Sequence, residues 1–273
     1  MDTELNAIGS TALGIALARS QESRRADRLF EDPFAAGFVA AAADRRLPGA
    51  MTGAAADEWA FLAHHVAVRT RFFDDFLADA VDAGSRQVVL LAAGLDTRGV
   101  RLAWTAGRVR VFELDQPGVL AFKERVLDGA RPRDAERFLV PVDLREDWGP
   151  ALTGAGFDAG SPAAWLIEGL LPVLTAAQAD AVLTRLTALA APGSRLAYDD
   201  LGDPAAVLPL LARLDPALVD LWKGGPDRDP RSWLRGHGWE ADVSEQSYVS
   251  LVYGRREPDQ PARPRPRFVR GVR

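Results

Sequence analysis

QVVLLAAGLDTRGVRL, residues 87–102, opens on a short apolar run and then turns abruptly to small residues. Gln87 to Leu91 does not alternate apolar with polar side chains, which is the pattern of a strand buried on both faces. Ala93-Gly94-Leu95-Asp96-Thr97 reads as a turn, and the residues from 97 to 103 as the start of a short helix. Strand, turn and helix in succession make the first unit of a parallel sheet with helices on both faces.

The unit repeats downstream. Strands are expected at 109–115, 137–142, 163–168 and within 193–199, with helices at 117–127 and 175–190. Upstream the period is helical: 3–46, with Asp32-Pro33 as a cap followed by proline, and 57–83, which ends at Gly84-Ser85. Residues 203–222 read as two short helices broken at Asp215-Pro216, and 231–236 as a small helix. Trp239 to Val243 and Tyr248 to Tyr253 alternate like a closing antiparallel hairpin. The expected division is an N-terminal helical cap (1–84), a Rossmann-like core (85–200), a helical insertion (201–238), a closing hairpin (239–254) and a basic tail (255–273). The fold class is thus α/β with a mostly parallel sheet.

Composition narrows the chemistry. The chain has 273 residues and no cysteine, which excludes disulfides, thiolate catalysis and iron–sulfur clusters. No apolar run approaches the roughly 18–20 residues that span a bilayer. The N-terminus lacks the basic and apolar regions of a secretory signal, so a soluble cytoplasmic protein is expected, with no membrane partner. The formal charge of −5 argues against nucleic acid as a partner. That charge is uneven: residues 255–273 carry seven Arg against Glu257 and Asp259, a net of +5, so the other 254 residues carry −10. The proline-rich tail is expected to be a mobile, solvated extension, or else a docking arm for an anionic substrate or carrier.

Candidate site residues fall at the ends of successive strands, where ligands bind in doubly wound sheets. Ala92, Ala93 and Gly94 are small enough for a ligand to approach the backbone. The segment is not GxGxxG and has no Walker lysine, so a pyrophosphate cofactor is poorly supported. The second strand ends FELD, where an acid can accept from ribose hydroxyls; Asp115 is the first choice and Glu113 the second. Asp115 can equally cap the helix beginning at Pro117. Asp143-Leu144 pairs an acid with an apolar side chain that could cover a purine. Glu168 ends the fourth strand near the same crevice.

These residues carry a family resemblance. The chain resembles class I S-adenosylmethionine-dependent methyltransferases of the leucine carboxyl methyltransferase-like family, in particular its actinobacterial and polyketide-tailoring branch. The matching segments are ALARSQESRRADRLFEDPFA (16–35), VAVRTRFFDDFL (66–77), QVVLLAAGLDTRGVRL (87–102), VFELDQPGVLAFK (111–123), VPVDLREDW (140–148), AWLIEGLL (164–171) and APGSRLAYDD (191–200). The resemblance implies S-adenosyl-L-methionine as cofactor. It places Ala92 and Gly94 at the methionine part, Asp115 at the ribose, Asp143 and Leu144 at adenine, and Glu168 near the amino-acid end or sulfonium. It implies that Arg69, or the neighbouring Arg71, pairs with the cofactor carboxylate, with Arg19 as a further candidate. After EGLL the family usually continues with an aromatic residue; here Pro172-Val173-Leu174 follows.

The activity expected is O-methylation, first of a carboxylate on a small molecule or peptide C-terminus in secondary metabolism. A carboxylate is ionised at neutral pH and needs no base, whereas a phenol would gain from one. His64, His65 and His237 are the only imidazoles, each a weak catalytic candidate. The alternatives are a phenol or hydroxyl acceptor, a nicotinamide oxidoreductase, and a non-catalytic cofactor-binding module. No metal is expected.

Overall fold

The computed structural model describes residues 7–42, 56–104, 107–258 and 264–273. Seven strands form one sheet among these residues: β1 (Gln87–Leu91), β2 (Val109–Asp115), β3 (Ala135–Pro141), β4 (Ala163–Ile167), β5 (Arg195–Asp200), β6 (Glu240–Glu245) and β7 (Arg267–Val272). Their order is β3-β2-β1-β4-β5-β7-β6. Strands β1 to β5 are parallel, and β7 runs antiparallel to both β5 and β6. The chain reverses its direction of winding between β1 and β4, so the crevice for a ligand opens there.

The unbroken apolar strands are explained by two cores. Val89, Leu91, Phe112, Trp165, Ile167, Leu196 and Val269 face one side, against Trp148, Leu183, Leu186 and Trp233. Val88, Leu90, Val111, Ala164, Leu166, Ala197 and Phe268 face the other, against Phe72, Phe73, Phe76 and Leu77. Those four belong to α3 (Ala56–Asp82), the helix expected at 57–83. Successive strand residues therefore point into opposite cores, and neither set can be polar.

The helices α4 (Arg98–Arg101), α5 (Pro117–Leu127), α6 (Gly149–Gly154) and α7 (Ala176–Leu189) fill the connections. Beyond β5 come α8 (Pro204–Leu214), α9 (Pro216–Leu221) and α10 (Pro230–Gly236). Each of these three starts on an Asp-Pro pair. Asp203 accepts from Ala205 N at 2.9 Å, Asp215 from Ala217 N at 3.0 Å and Asp229 from Arg231 N at 3.0 Å. Proline in the first turn has no N–H to leave unpaired, so the pair starts a helix cleanly.

Two expectations need correction. The helix read over 3–46 is two helices, α1 (Ala7–Ser23) and α2 (Ala35–Ala41), while residues 3–6 and 43–46 lie outside the described residues. Asp32 still performs its capping chemistry, accepting from Phe34 N at 3.0 Å and Ala35 N at 3.1 Å. The sheet does close with an antiparallel pair that includes β6, but it is not a hairpin and its second strand is not 248–253. That segment is α11 (Gln246–Val252), and the strand is β7 from the supposed tail.

Polar partners decide the exchange. α11 buries Gln246, Val249 and Ser250, spaced i, i+3, i+4, and leaves Tyr248, Leu251 and Val252 exposed. Ser250 Oγ meets His64 Nε2 at 2.9 Å and Gln246 Oε1 meets His65 Nδ1 at 2.5 Å, both imidazoles on α3. As a strand this segment would lose both bonds. Phe268 and Val269 are fully buried instead. Three of the described tail arginines pair with acids of the body: Arg255 with Glu22, Arg267 with Asp200 at 2.6 Å, and Arg270 with Asp242 at 2.7 Å, while Arg256, Arg265 and Arg273 are exposed. The residues 264–273 are thus no free basic arm; residues 259–263 lie outside those described.

Candidate active site

A cavity of 230 Å³ opens at the carboxyl ends of β1, β2 and β4. Eight of the sequence candidates line it: Arg19, Arg69, Ala92, Gly94, Asp115, Asp143, Leu144 and Glu168. The chain follows β1 through Ala92 in the left-handed region, with φ +52°, and again at Gly94, with φ +45°. An L-residue pays a steric cost at such a φ, and only a small side chain keeps it modest. The bend brings Gly94 N within 2.6 Å of Asp115 Oδ2.

Asp115 has capacity to spare. Its Oδ2 accepts from Gly94 N and its Oδ1 from Gln116 N, each at 2.6 Å. An ionised carboxylate has about four lone-pair sites, so each oxygen can accept one further hydrogen bond from the cavity. Burial pushes its pKa up, against the pull of the two N–H donors and Lys123. A vicinal diol would match it. Val119, Val142 and Leu144 form the apolar wall beyond it, with Asp143 at the rim. Arg145 bonds Asp143 at 2.5 Å and holds its carboxyl below the usual range.

The opposite end is charged. Glu168 Oε1 lies 2.9 Å from Arg69 Nε, and its Oε2 lies 2.7 Å from Arg98 Nη1. Arg69 also donates to Asp199 Oδ2 at 2.9 Å, and Asp199 Oδ1 accepts from Gly169 N at 2.7 Å. The guanidinium expected to meet a ligand carboxylate is therefore anchored twice by the protein while still lining the cavity. Arg19 is buried, donates to Leu95 O at 2.6 Å and sits 3.5 Å from Asp32. Its helix contributes Thr11, Ala12 and Ile15 as well, so α1 is one wall.

The remaining candidates lie elsewhere. Arg71 is half-exposed, bonded to Asp75 at 2.8 Å and Leu29 O at 3.0 Å, with its charge over the Tyr253 ring. Residues two positions apart on a helix differ by about 200°, so Arg69 and Arg71 cannot share a face. Glu113 is fully buried between Arg137 at 2.7 Å and Lys123 at 2.9 Å, one pleat deeper than Asp115. His64 and His65 are held by α11, and His237 Nδ1 meets Trp233 O at 2.9 Å. None of the three lines this cavity. Burial above all, then the charge of Arg69, lowers the His65 pKa to about 4, so it is neutral at pH 7.

Sequence reasoning missed Asp96, which lines the cavity, and Arg98, which sits beneath it. Both belong to the quoted LDTR turn, where an arginine two residues after an aspartate was the available signal. A second cavity of 440 Å³ lies on the other side of the Leu171–Val173 turn, between the end of β5 and the segment 222–230. Lys223 N and Gly225 N bond Pro172 O and Leu174 O at 2.8 and 2.9 Å, pinning that segment to the turn.

A mostly parallel sheet of this order, with an acid at the end of β2, an apolar wall after β3 and paired charges after β4, has the Rossmann-like fold of S-adenosyl-L-methionine-dependent methyltransferases. The chain matches the family model described as leucine carboxyl methyltransferase over residues 12–187. It is 47% identical over 254 residues to a protein of Parafrankia sp. (strain EAN1pec) assigned as an S-adenosyl-L-methionine-dependent methyltransferase, covering 89% of this chain and 80% of that one. The chain belongs to the leucine carboxyl methyltransferase family. Two crystal structures share the fold. One is an assigned methyltransferase from Thermobifida fusca (TM-score 0.57, 20% identity, 100% and 96% of the two chains covered). The other is a DUF574 family protein from Streptomyces avermitilis (TM-score 0.59, 15% identity, 94% and 97% covered). No helix among the described residues is long and apolar enough to cross a membrane.

Proposed function

We propose that the chain transfers the methyl group of S-adenosyl-L-methionine to a carboxylate oxygen of a small molecule or peptide C-terminus in secondary metabolism, inside the cell. The observation that carries this reading is that the titratable groups around the cavity are engaged by partners within the protein. The carboxylates at its charged end are bonded to guanidinium groups: Glu168 to Arg69 and Arg98, and Asp96 to Arg98, which holds its carboxyl well below the usual range. The imidazoles are turned to other partners. An acceptor that is already ionised suits such a site, because it brings its own nucleophile.

The cofactor supplies an electrophilic methyl group on a sulfonium, and the residues supply alignment. On this reading Asp115 holds the ribose hydroxyls, Asp143 and Leu144 hold adenine, and Ala92 and Gly94 let the chain approach the methionine part. Arg69, with Arg19 as the further candidate, pairs with the carboxylate of the donor. Ile15, Leu170, Val173, Leu174 and Leu221 exclude water from the reacting end. Alignment of this kind is worth on the order of 7–11 kcal/mol. The remainder of the acceptor would extend along the second cavity, past Tyr198 and Trp222.

Methyl-labelled cofactor incubated with the purified chain and a panel of carboxylic acids and phenols tests the assignment. Carboxyl methyl esters release volatile labelled methanol in alkali, and aryl methyl ethers do not. Alkali-labile label is expected; label that survives alkali would transfer the assignment to a hydroxyl acceptor.

A further inference from the structure

Arg98 is nearly fully buried and touches four partners. Its Nε donates to Asp74 Oδ1 at 2.7 Å and its Nη2 to Thr70 O at 3.2 Å. Its Nη1 serves two carboxylates, Asp96 Oδ2 and, at 2.7 Å, Glu168 Oε2. Its backbone N–H also meets Asp96 Oδ1 at 2.7 Å. One nitrogen thus ties together a carboxylate from the turn after β1 and another from the end of β4. Both carboxylates line the first cavity, while Arg98 itself does not.

The charges around it do not balance. Through direct contacts, Arg69, Arg98 and Arg101 are joined to Asp74, Asp96, Glu168 and Asp199, three cations to four anions among the described residues. His65, 3.9 Å from Asp199, is neutral at pH 7 and does not supply the missing charge. Asp96 stays ionised nonetheless. Burial opposes it, but Arg98, then Lys123 and Arg19, hold the Asp96 carboxyl well below the usual range. Both oxygens of Asp96 and of Glu168 keep a lone pair beyond those used by the arginines. Of the four anions, Asp96 and Glu168 are the two that line the cavity, in a cluster one cation short.

We propose that Arg98 is a positioning residue that fixes Asp96 and Glu168 side by side, so that together they receive the ammonium group of the donor's amino-acid end. The proposal rests on the first cavity being the donor site. Adenosine recognition lies at the other end, around Asp115, and does not involve Arg98. An ammonium carries three N–H donors, enough to bridge both carboxylates. A planar guanidinium can hold them and Asp74 at once, and the point charge of a lysine cannot.

The test compares two probes by calorimetry: S-adenosylhomocysteine, which has the amino-acid end, and 5′-methylthioadenosine, which lacks it. Arg98→Met should weaken S-adenosylhomocysteine by about 10- to 100-fold, the loss expected for charge-assisted bonds that are no longer aligned. Binding of 5′-methylthioadenosine should change less than about threefold. Arg98→Lys keeps the buried charge and serves if Arg98→Met does not fold; it should show the same selective loss. Parallel weakening of both probes, or no change in either, would overturn the proposal. Failure of the wild-type chain to bind either probe would instead overturn the assignment of the cavity.

Discussion

Asp115 is asked to be a carboxylate in a place that disfavours charge. Burial raises its pKa, so its proton returns at a higher pH than the ordinary aspartate value of about 3.9. A ligand whose hydroxyls donate to it favours the ionised form. Affinity for S-adenosylhomocysteine should therefore be level near neutrality and fall on acidification, beginning above the pH at which an exposed aspartate would titrate. Calorimetry from pH 7 down to pH 4.5 checks this. Asp115→Asn should bind about tenfold more weakly at pH 7 and lack the acid-dependent step. At this scale the sequence told much. The strand-end rule placed Ala92, Gly94, Asp115, Asp143, Leu144 and Glu168 around one crevice, because strand ends converge whatever the side chains are. It ranked Asp115 ahead of Glu113 but could not exclude Glu113: they share a face, and only depth along the strand makes one a buried ion-pair partner of Lys123. Helical geometry alone could have separated Arg69 from Arg71.

Among the elements, β7 carries the clearest physical lesson. Phe268 is fully buried, stacked on Phe72 with centroids 4.8 Å apart and edge-on to Phe73 at 5.9 Å. Phe268→Ala should cost about 3–5 kcal/mol, measured by urea unfolding. A solvated tail would show no change. The parallel half of the sheet was legible because its strands are apolar on both faces and punctuated by small turns. The antiparallel end was not. RFVRGV is short and flanked by proline and arginine, and its cations are matched by Asp200 and Asp242 on neighbouring strands. QSYVSLV alternates better than β7 does, yet its buried polar atoms have partners only when it is a helix on α3. Local pattern could not see those distant partners.

For the whole molecule, the charge division read from the sequence takes on another meaning. Three arginines of the basic segment after Gly254 are matched to acids of the body: Arg255 to Glu22, Arg267 to Asp200, Arg270 to Asp242. The cavity at the strand ends is lined by the acids Asp96, Asp115, Asp143 and Glu168. Ligand binding there should stabilise the fold as a unit, since α1, α3 and the ends of β1, β2 and β4 all contribute lining residues. S-adenosylhomocysteine at 100 times its Kd adds about 2.7 kcal/mol. For a chain of this size that corresponds to a rise in Tm of roughly 5–10 °C. Calorimetric scans with and without the ligand measure it, and an unchanged Tm would deny that the cavity is a binding site.

The place of β7 between β5 and β6 also sets an order of events. Asp200 and its partner Arg267 are 67 residues apart in the chain. Until that distant segment docks, β5 is an open edge, with Leu196, Ala197 and Tyr198 offering unpaired backbone groups beside apolar side chains. Long-range antiparallel closure is slow relative to the local β-α units that precede it. The nascent sheet therefore passes through a stage with a sticky rim, at which another copy of the chain competes with β7 for the same hydrogen bonds. The strand that looked dispensable in the sequence is the one that ends this exposure to aggregation.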